Sequence, residues 1–188
     1  NDYGGLGARS RLDGIDAAAP HLMGAHSGSI PVEAVEQEYP VRYQSYRLLD
    51  DSGGPGAFRG GLGVERSLRI LVDGEITVRS DRMRYPPPGI MRGEAGTSGS
   101  YSVNLGSSDE ILLPSKKTAV PLNAGDVITE RTSGGGGFGN PFERDPQLVL
   151  EDVLDHKVSP EMAAQVYGVV VIAETGTVDQ KGTARLRQ

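Results

Sequence analysis

GVERSLRILVDGEITVRS, residues 63–80, decides the fold class. Apolar and polar residues alternate along 63–72, the period of a strand with one face buried. Asp73-Gly74 is a strong two-residue hairpin signal, and EITVRS (75–80) supplies the returning strand. The stretch therefore predicts a β-hairpin. Upstream, YPVRYQSYRLL (39–49) alternates in the same way and ends at the polar, Gly-rich DDSGGPG (50–56). Downstream, RYPPPG (84–89) is excluded from a central strand, because three prolines remove three ladder donors. Further strands are expected at 99–105, 110–113 and 126–132, separated by Gly, Ser, Asp and Pro turns.

The two ends read differently. Residues 1–30 show neither strand nor helix period, and are expected to be loop with a short helix near 16–24. A second short helix follows Pro31. After the Gly134–Gly139 cluster, Asp145-Pro146 and Ser159-Pro160 each pair an N-cap with Pro at the first helical position. Leu148, Val149, Asp152 and Val153 form a helical stripe, Gly168 ends the second helix, residues 169–172 read as a last strand, and 178–186 as a terminal helix. The expected class is α+β, mainly β: an antiparallel sheet or barrel-like β core with short C-terminal helices. A single domain is expected, with a Gly-rich entry segment (1–38), a β-rich core (39–133) and a Gly loop with a helical region (134–188).

Composition removes several functions. A net charge of −6 opposes a nucleic-acid footprint. The absence of cysteine excludes disulfides, thiolate nucleophiles and Cys-ligated metals. The longest apolar run, 169–173, is far below the roughly 20 residues of a membrane-spanning helix, and the first residues carry no signal-peptide pattern. No nucleic-acid or membrane partner is expected, and the expected location is cytoplasmic.

The residues offer few catalytic constellations. GGGGFG (134–139) has bare amides that suit a phosphate, but it lacks the Lys-Ser/Thr ending of a P-loop, and a structural backbone crossing is the favoured reading. His21 and His26, near Asp13 and Asp16, have no diagnostic metal spacing, and His156 sits at a helix end. Ser52 lies in DSGG without GxSxG or a base, and reads as a turn former. Arg9, Arg11, Asp13 and Asp16 combine anion-binding forks with carboxylates on a Gly-rich backbone, where solvated charge is the competing reading.

Longer segments resemble a known family. YGGLGARSRLDGIDA (3–17) is similar to its Gly-Gly-x-Gly-x-Arg and Asp-Gly-x-Asp-Ala pieces. SIPVEAVEQEYPVRYQSYRLLDDSGGPGAFRGGLGVER (29–66) resembles its DSGGxGxxRGGxG signature. GDVITERTSGGGGFGNPFERDPQLVLEDVLDHKVSPEMAAQVYGVV (125–170) resembles its closing block, and SDR with Pro-Pro-Gly (80–82, 87–89) another. The chain resembles the C-terminal portion of the B-type subunit of the hydantoinase, 5-oxoprolinase and acetone carboxylase group. It departs from the pattern at Met91-Arg92-Gly93-Glu94, where the family usually shows a Gly-Gly pair.

The resemblance implies an ATP-dependent assembly. An actin-like, ATP-binding A-type subunit phosphorylates a carbonyl, enol or amide, and the B-type component resolves the intermediate by hydrolysis or carboxylation. ATP with Mg and a divalent metal are implied for the rest of the complex, with no cofactor or metal in this chain. Its implied partners are the A-type subunit, the remainder of the B-type subunit and a small-molecule substrate, and alone it is expected to be inactive. Arg9, Arg11 and Asp13 are the expected substrate-binding residues, and no catalytic residue is assigned. The favoured activity is ATP-dependent hydrolysis of cyclic amides. An acetone- or acetophenone-type carboxylase component and a non-catalytic assembly component are the alternatives.

Overall fold

The computed structural model describes residues 3–18, 30–172 and 175–188. Helix α1 (Val32–Glu38) precedes seven strands: β1 (Val41–Leu48), β2 (Val64–Ile70), β3 (Gly74–Arg79), β4 (Ser100–Val103), β5 (Ile111–Leu113), β6 (Lys116–Leu122) and β7 (Val127–Arg131). Helices α2 (Pro146–Leu154) and α3 (Pro160–Gln165), the short strands β8 (Val171–Ile172) and β9 (Thr177–Val178), and helix α4 (Gln180–Leu186) complete the chain. The class is α+β, mainly strand, and every pair of named strands is antiparallel.

The main sheet is open and not a closed barrel, with strand order β1-β2-β7-β4-β5. β3 and β6 form a separate two-stranded ribbon. Val78, Val120 and Leu122 of the ribbon meet Val103, Leu113 and Ile128 of the main sheet in one buried cluster. Alternation along each strand gives this packing its apolar layer. A second cluster, Val149, Val158, Ala163, Tyr167 and Val169, packs the helices together.

The hairpin expected at Asp73-Gly74 does not form. β2 pairs β1 on one edge and β7 on the other, so β3 finds no free edge there and pairs β6 instead. Neither Asp73 nor Gly74 adopts the positive φ that a tight primed turn needs. The Asp73 carboxylate instead accepts the Ala124 N–H at 2.8 Å. β6 went unread in the sequence because Pro121 interrupts its pattern; as one of only two strands, β6 tolerates the missing donor.

The other boundaries follow local chemistry. Asp145 accepts the Gln147 N–H and Ser159 the Met162 N–H, capping α2 and α3, and both helices start on Pro. Gly168, at φ 64°, ends the segment after α3. Pro31 caps α1 from outside and not from its first turn. Residues 16–17 form a turn; most of the helix expected at 16–24 lies outside the described residues.

Between the sheet and the helices lies a bundle of extended segments with almost no regular secondary structure: 4–8, 13–17, 52–63, 88–97 and 133–139. Segment 133–139 is at its centre. Gly134 donates to Thr97 at 3.2 Å, Gly135 to Gly61 at 2.9 Å, Gly137 to Glu94 at 2.9 Å and Phe138 to Phe58 at 3.0 Å. Its carbonyls accept from Gly54, Ala8 and Ile90 at 2.8, 2.9 and 3.0 Å. A sheet strand has two hydrogen-bonded neighbours, whereas this segment bonds in several directions, which only a backbone without side chains allows. A Cβ on Gly134 would overlap the Ser52 carbonyl, and one on Gly135 the Leu6 carbonyl. The same exclusion confines collagen's axis to glycine.

Gly135→Ala should therefore destabilise the chain by at least about 3 kcal/mol, the upper end of ordinary overpacking. Gly74→Ala, with nothing within 4 Å of the added methyl, should leave stability within about 1 kcal/mol. Chemical denaturation of the two variants checks the contrast.

Candidate functional site

The densest cluster of charge sits where the bundle meets α2. Residues 13–16 carry Asp13 and Asp16, the Gly-rich segment 52–63 carries Arg59, and a 3-10 turn at Pro141–Glu143 delivers Arg144. The fifth member, Asp152, projects from the buried face of α2 beside Val149. Arg144 clasps Asp13 through two bonds, Nη1 to Oδ1 at 2.8 Å and Nη2 to Oδ2 at 2.7 Å, and gives Nη2 to Asp152 Oδ2 at 2.7 Å. Arg59 donates Nε to the other Asp152 oxygen and Nη1 to Asp16, both at 3.2 Å. Backbone amides complete the set: Arg59 N to Asp13 Oδ1 at 2.7 Å and Leu62 N to Asp16 Oδ1 at 2.8 Å.

The planar fork of arginine suits this geometry, because one guanidinium serves two carboxylates. Arg59 and Arg144 are 2% and 1% exposed and Asp152 6%, so these charges are removed from water and need their partners. Burial alone would push the Asp13 carboxyl up, but the Arg144 bonds and charge, with the Arg59 N–H, hold it below the ordinary value. Burial opposes the charge on Arg59, yet Asp152 and Asp16 raise its pKa; Arg144 is raised by Asp13 and Asp152 in the same way. Lys157 reaches Asp16 at 3.8 Å from the rim, so three cations answer three carboxylates.

Beneath Arg144 lies Tyr167, 1% exposed, whose hydroxyl has no hydrogen-bond partner among the described residues, and whose pKa burial raises. An open cavity of about 330 Å³ flanks the network, lined by Asp13–Asp16, Arg59, Arg144 and, from α2 and beyond, Leu148, Glu151, Asp152, Asp155 and Lys157. Its carboxylates outnumber its cations, so its field opposes an anionic ligand. Among the described residues no group of three or more His, Asp or Glu side chains could hold a metal ion. Each network carboxylate is already engaged by arginine.

The residues read from the sequence fall into different places. Arg9 and Arg11 are exposed on a turn closed by the Arg9 N–H to the Leu12 carbonyl at 2.9 Å, and no ion pair engages them among the described residues. Asp13 turns inward, away from them, to Arg144 and Arg59. Ser52 is fully buried: its hydroxyl donates to the Leu49 carbonyl and accepts the Gly63 N–H at 2.9 Å, so it is a turn brace. The four glycines at 134–137 spend their backbone on other segments of the bundle, which decides for the structural crossing. His156 takes φ 56° just after α2, an exposed helix-end role. His21 and His26 lie outside the described residues. Sequence reasoning missed Arg59, Arg144 and Asp152 as a unit; the signal available was an aspartate inside the apolar stripe of α2.

Known proteins share both the fold and the sequence pattern. Residues 2–141 match the Hydantoinase B/oxoprolinase family model. The chain is 37% identical over 186 residues to the B-type subunit of a putative D-/L-hydantoinase from Pseudomonas sp. (strain NS671), covering 98% of this chain and 31% of that protein. The crystal structure of ATP-dependent caprolactamase from Pseudomonas jessenii superposes with a TM-score of 0.82 at 29% identity, over 98% of this chain and 32% of that one. A nucleotide-free acetone carboxylase structure gives 0.79 at 24% identity, over 98% and 29%, and shares the fold. The chain belongs to the hydantoinase B/oxoprolinase family. It spans about a third of the length of these relatives. Among the described residues no helix is long and apolar enough to cross a membrane.

Asp152→Ala removes the carboxylate that both buried guanidiniums share while each keeps another, and should cost about 1–3 kcal/mol in urea unfolding. Asp13 binds its proton more weakly folded than unfolded, so its stabilisation is full above the unfolded carboxyl value of about 3.9 and is lost as pH falls through the lower folded one. The urea midpoint should therefore drop on acidification below about pH 4, and Asp13→Asn should flatten part of that drop.

Proposed function

We propose that this chain is the C-terminal part of the B-type subunit of an ATP-dependent amidohydrolase of the hydantoinase/5-oxoprolinase type, acting with an ATP-binding A-type subunit in the cytoplasm. The observation that carries the reading is the 37% identity, across 98% of the chain, to the B-type subunit of a putative hydantoinase. The ATP-dependent caprolactamase adds weight, because a lactam is also a cyclic amide and its identity of 29% exceeds the 24% of the acetone carboxylase. That ranking favours hydrolysis of a cyclic amide over ketone carboxylation. Fold alone would not choose between the two chemistries.

Within such an enzyme the chain is a scaffold. Its one candidate hydroxyl, Ser52, is engaged at both ends, and its clustered carboxylates are neutralised by arginine, so general-base or nucleophilic chemistry finds no free group among these residues. ATP, Mg and a divalent metal are assigned to the rest of the assembly. Arg9 and Arg11 are proposed to make contacts outside the chain, with Asp13 orienting the loop that carries them.

Full-length B-type subunit mixed with its A-type partner should couple ATP hydrolysis to ring opening of hydantoin or 5-oxoproline, whereas residues 1–188 alone should show none. Turnover by the isolated chain, or ketone carboxylation by the assembly, would overturn this reading. In the assembled enzyme, Arg9→Ala with Arg11→Ala separates two roles: lost turnover in an intact complex marks a ligand contact, and a lost complex marks docking.

A further inference from the structure

Two turns leave the same end of the glycine bundle. Residues 9–12 close through the Arg9 N–H to the Leu12 carbonyl, and residues 90–93 through the Gly93 N–H to the Ile90 carbonyl, each at 2.9 Å. Gly136 sets their spacing: its carbonyl accepts the Ala8 N–H at 2.9 Å, and its α-carbon lies against the Pro88 carbonyl. Segment 4–8 runs parallel to 133–136, bonding Gly5 to Ser133 and Ala8 to Gly136. Segment 88–90 likewise runs parallel to 136–138, through the Ile90 bridge to Phe138, and after its turn segment 94–97 returns antiparallel, bonding Gly137 to Glu94 and Gly134 to Thr97. Both turns therefore emerge beyond Gly136.

Their side chains have no use within the described chain. Arg9, Arg11 and Arg92 are exposed, and no carboxylate among the described residues pairs with them. Leu12, Ile90 and Met91 are 57%, 55% and 73% exposed. Met91 and Arg92 both adopt positive φ, 50° and 72°, in a turn where Asn-Gly would sit without strain. Keeping a large apolar and a cationic side chain at those two positions disfavours the free chain, and the strain finds no compensating contact among the described residues.

The turns project, whereas small molecules bind in concavities, and the cavity beside Asp13 is lined by no residue of either turn. Arg9, Arg11 and Arg92 also place three unmatched guanidiniums on a chain whose net charge is −6. We propose that residues 9–12 and 90–93 form one docking surface for an acidic partner subunit, whose carboxylates face Arg9, Arg11 and Arg92 around an apolar centre of Leu12, Ile90 and Met91. Methionine and arginine are both favoured in interface cores, and arginine among the residues that dominate binding. The backbone bonds that fix both turns make the surface preorganised, so little ordering opposes binding.

This inference rests on the proposed function for the identity of the partner, the ATP-binding A-type subunit. Its test is the affinity of full-length B-type subunit for purified A-type subunit, measured calorimetrically at low and high salt, beside thermal unfolding of each variant. Met91→Gly with Arg92→Gly should weaken binding at least tenfold while the melting temperature holds or rises, since the substitution relieves the turn. Arg9→Glu with Arg11→Glu should weaken it likewise, and salt should weaken the wild-type complex. Unchanged affinity in both double variants would overturn the docking surface and leave the proposed function standing. Tip variants that instead dissolve a dimer of the B-type subunit would also overturn it, in favour of a second copy as the occupant. No wild-type complex at all would overturn both, and a tip-dependent complex without cyclic-amide turnover would overturn the proposed function alone.

Discussion

Contact of backbone on backbone, with no side chain between, is what the rest of this molecule is built around. Segment 133–139 bonds to three others, and the carbonyls of Ser52, Leu6, Pro88 and Pro55 stand where a Cβ on Gly134, Gly135, Gly136 and Gly137 would be. The buried amides and carbonyls of these loops satisfy one another in several directions, which resolves the usual problem of burying irregular backbone. The sheet feeds into the bundle directly, since β7 continues into 133–139 and 52–63 leads into β2. Sheet, entry segment and helices thereby share one anchor.

The arginine and aspartate cluster closes that anchor onto the helices. Arg144 and Arg59 join residues 13–16 of the entry segment to Asp152 of α2, so segments more than a hundred residues apart meet through a few charged atoms. Such a cluster is weak evidence for net stability, because desolvation offsets much of its attraction. Its geometry supplies registry instead, since each fork accepts one arrangement of carboxylates. Tyr167, whose hydroxyl finds no partner among the described residues, is held in the helical core by packing against Val149, Val158, Ala163 and Val169.

Function then divides along the surface. Inward-facing charge is committed to holding loops in place, and the exposed turns at the far end of the bundle carry the side chains left over for other molecules. The chain spans about a third of its relatives, and Ser52, Asp13, Asp16 and Asp152 are all engaged within it.

Much of this was legible locally. Strand alternation gave the β-rich class, the Asp-Pro and Ser-Pro caps placed α2 and α3, and ordered motifs pointed to the family. The pairing of β2 was not legible, because a strong Asp-Gly signal describes a local turn while strand partners compete for edges globally. Nor did the sequence reveal that Asp13, Arg59, Arg144 and Asp152 meet, since each sits among unrelated neighbours and charge carries no periodicity. Local chemistry by itself determined the starts of α2 and α3 and the positions of β1, β2, β4, β5 and β7, because capping, alternation and proline act within a few residues. Only the tertiary structure decided why residues 134–137 must be glycine and which arginines are engaged by carboxylates, because those answers depend on atoms brought together from distant parts of the chain.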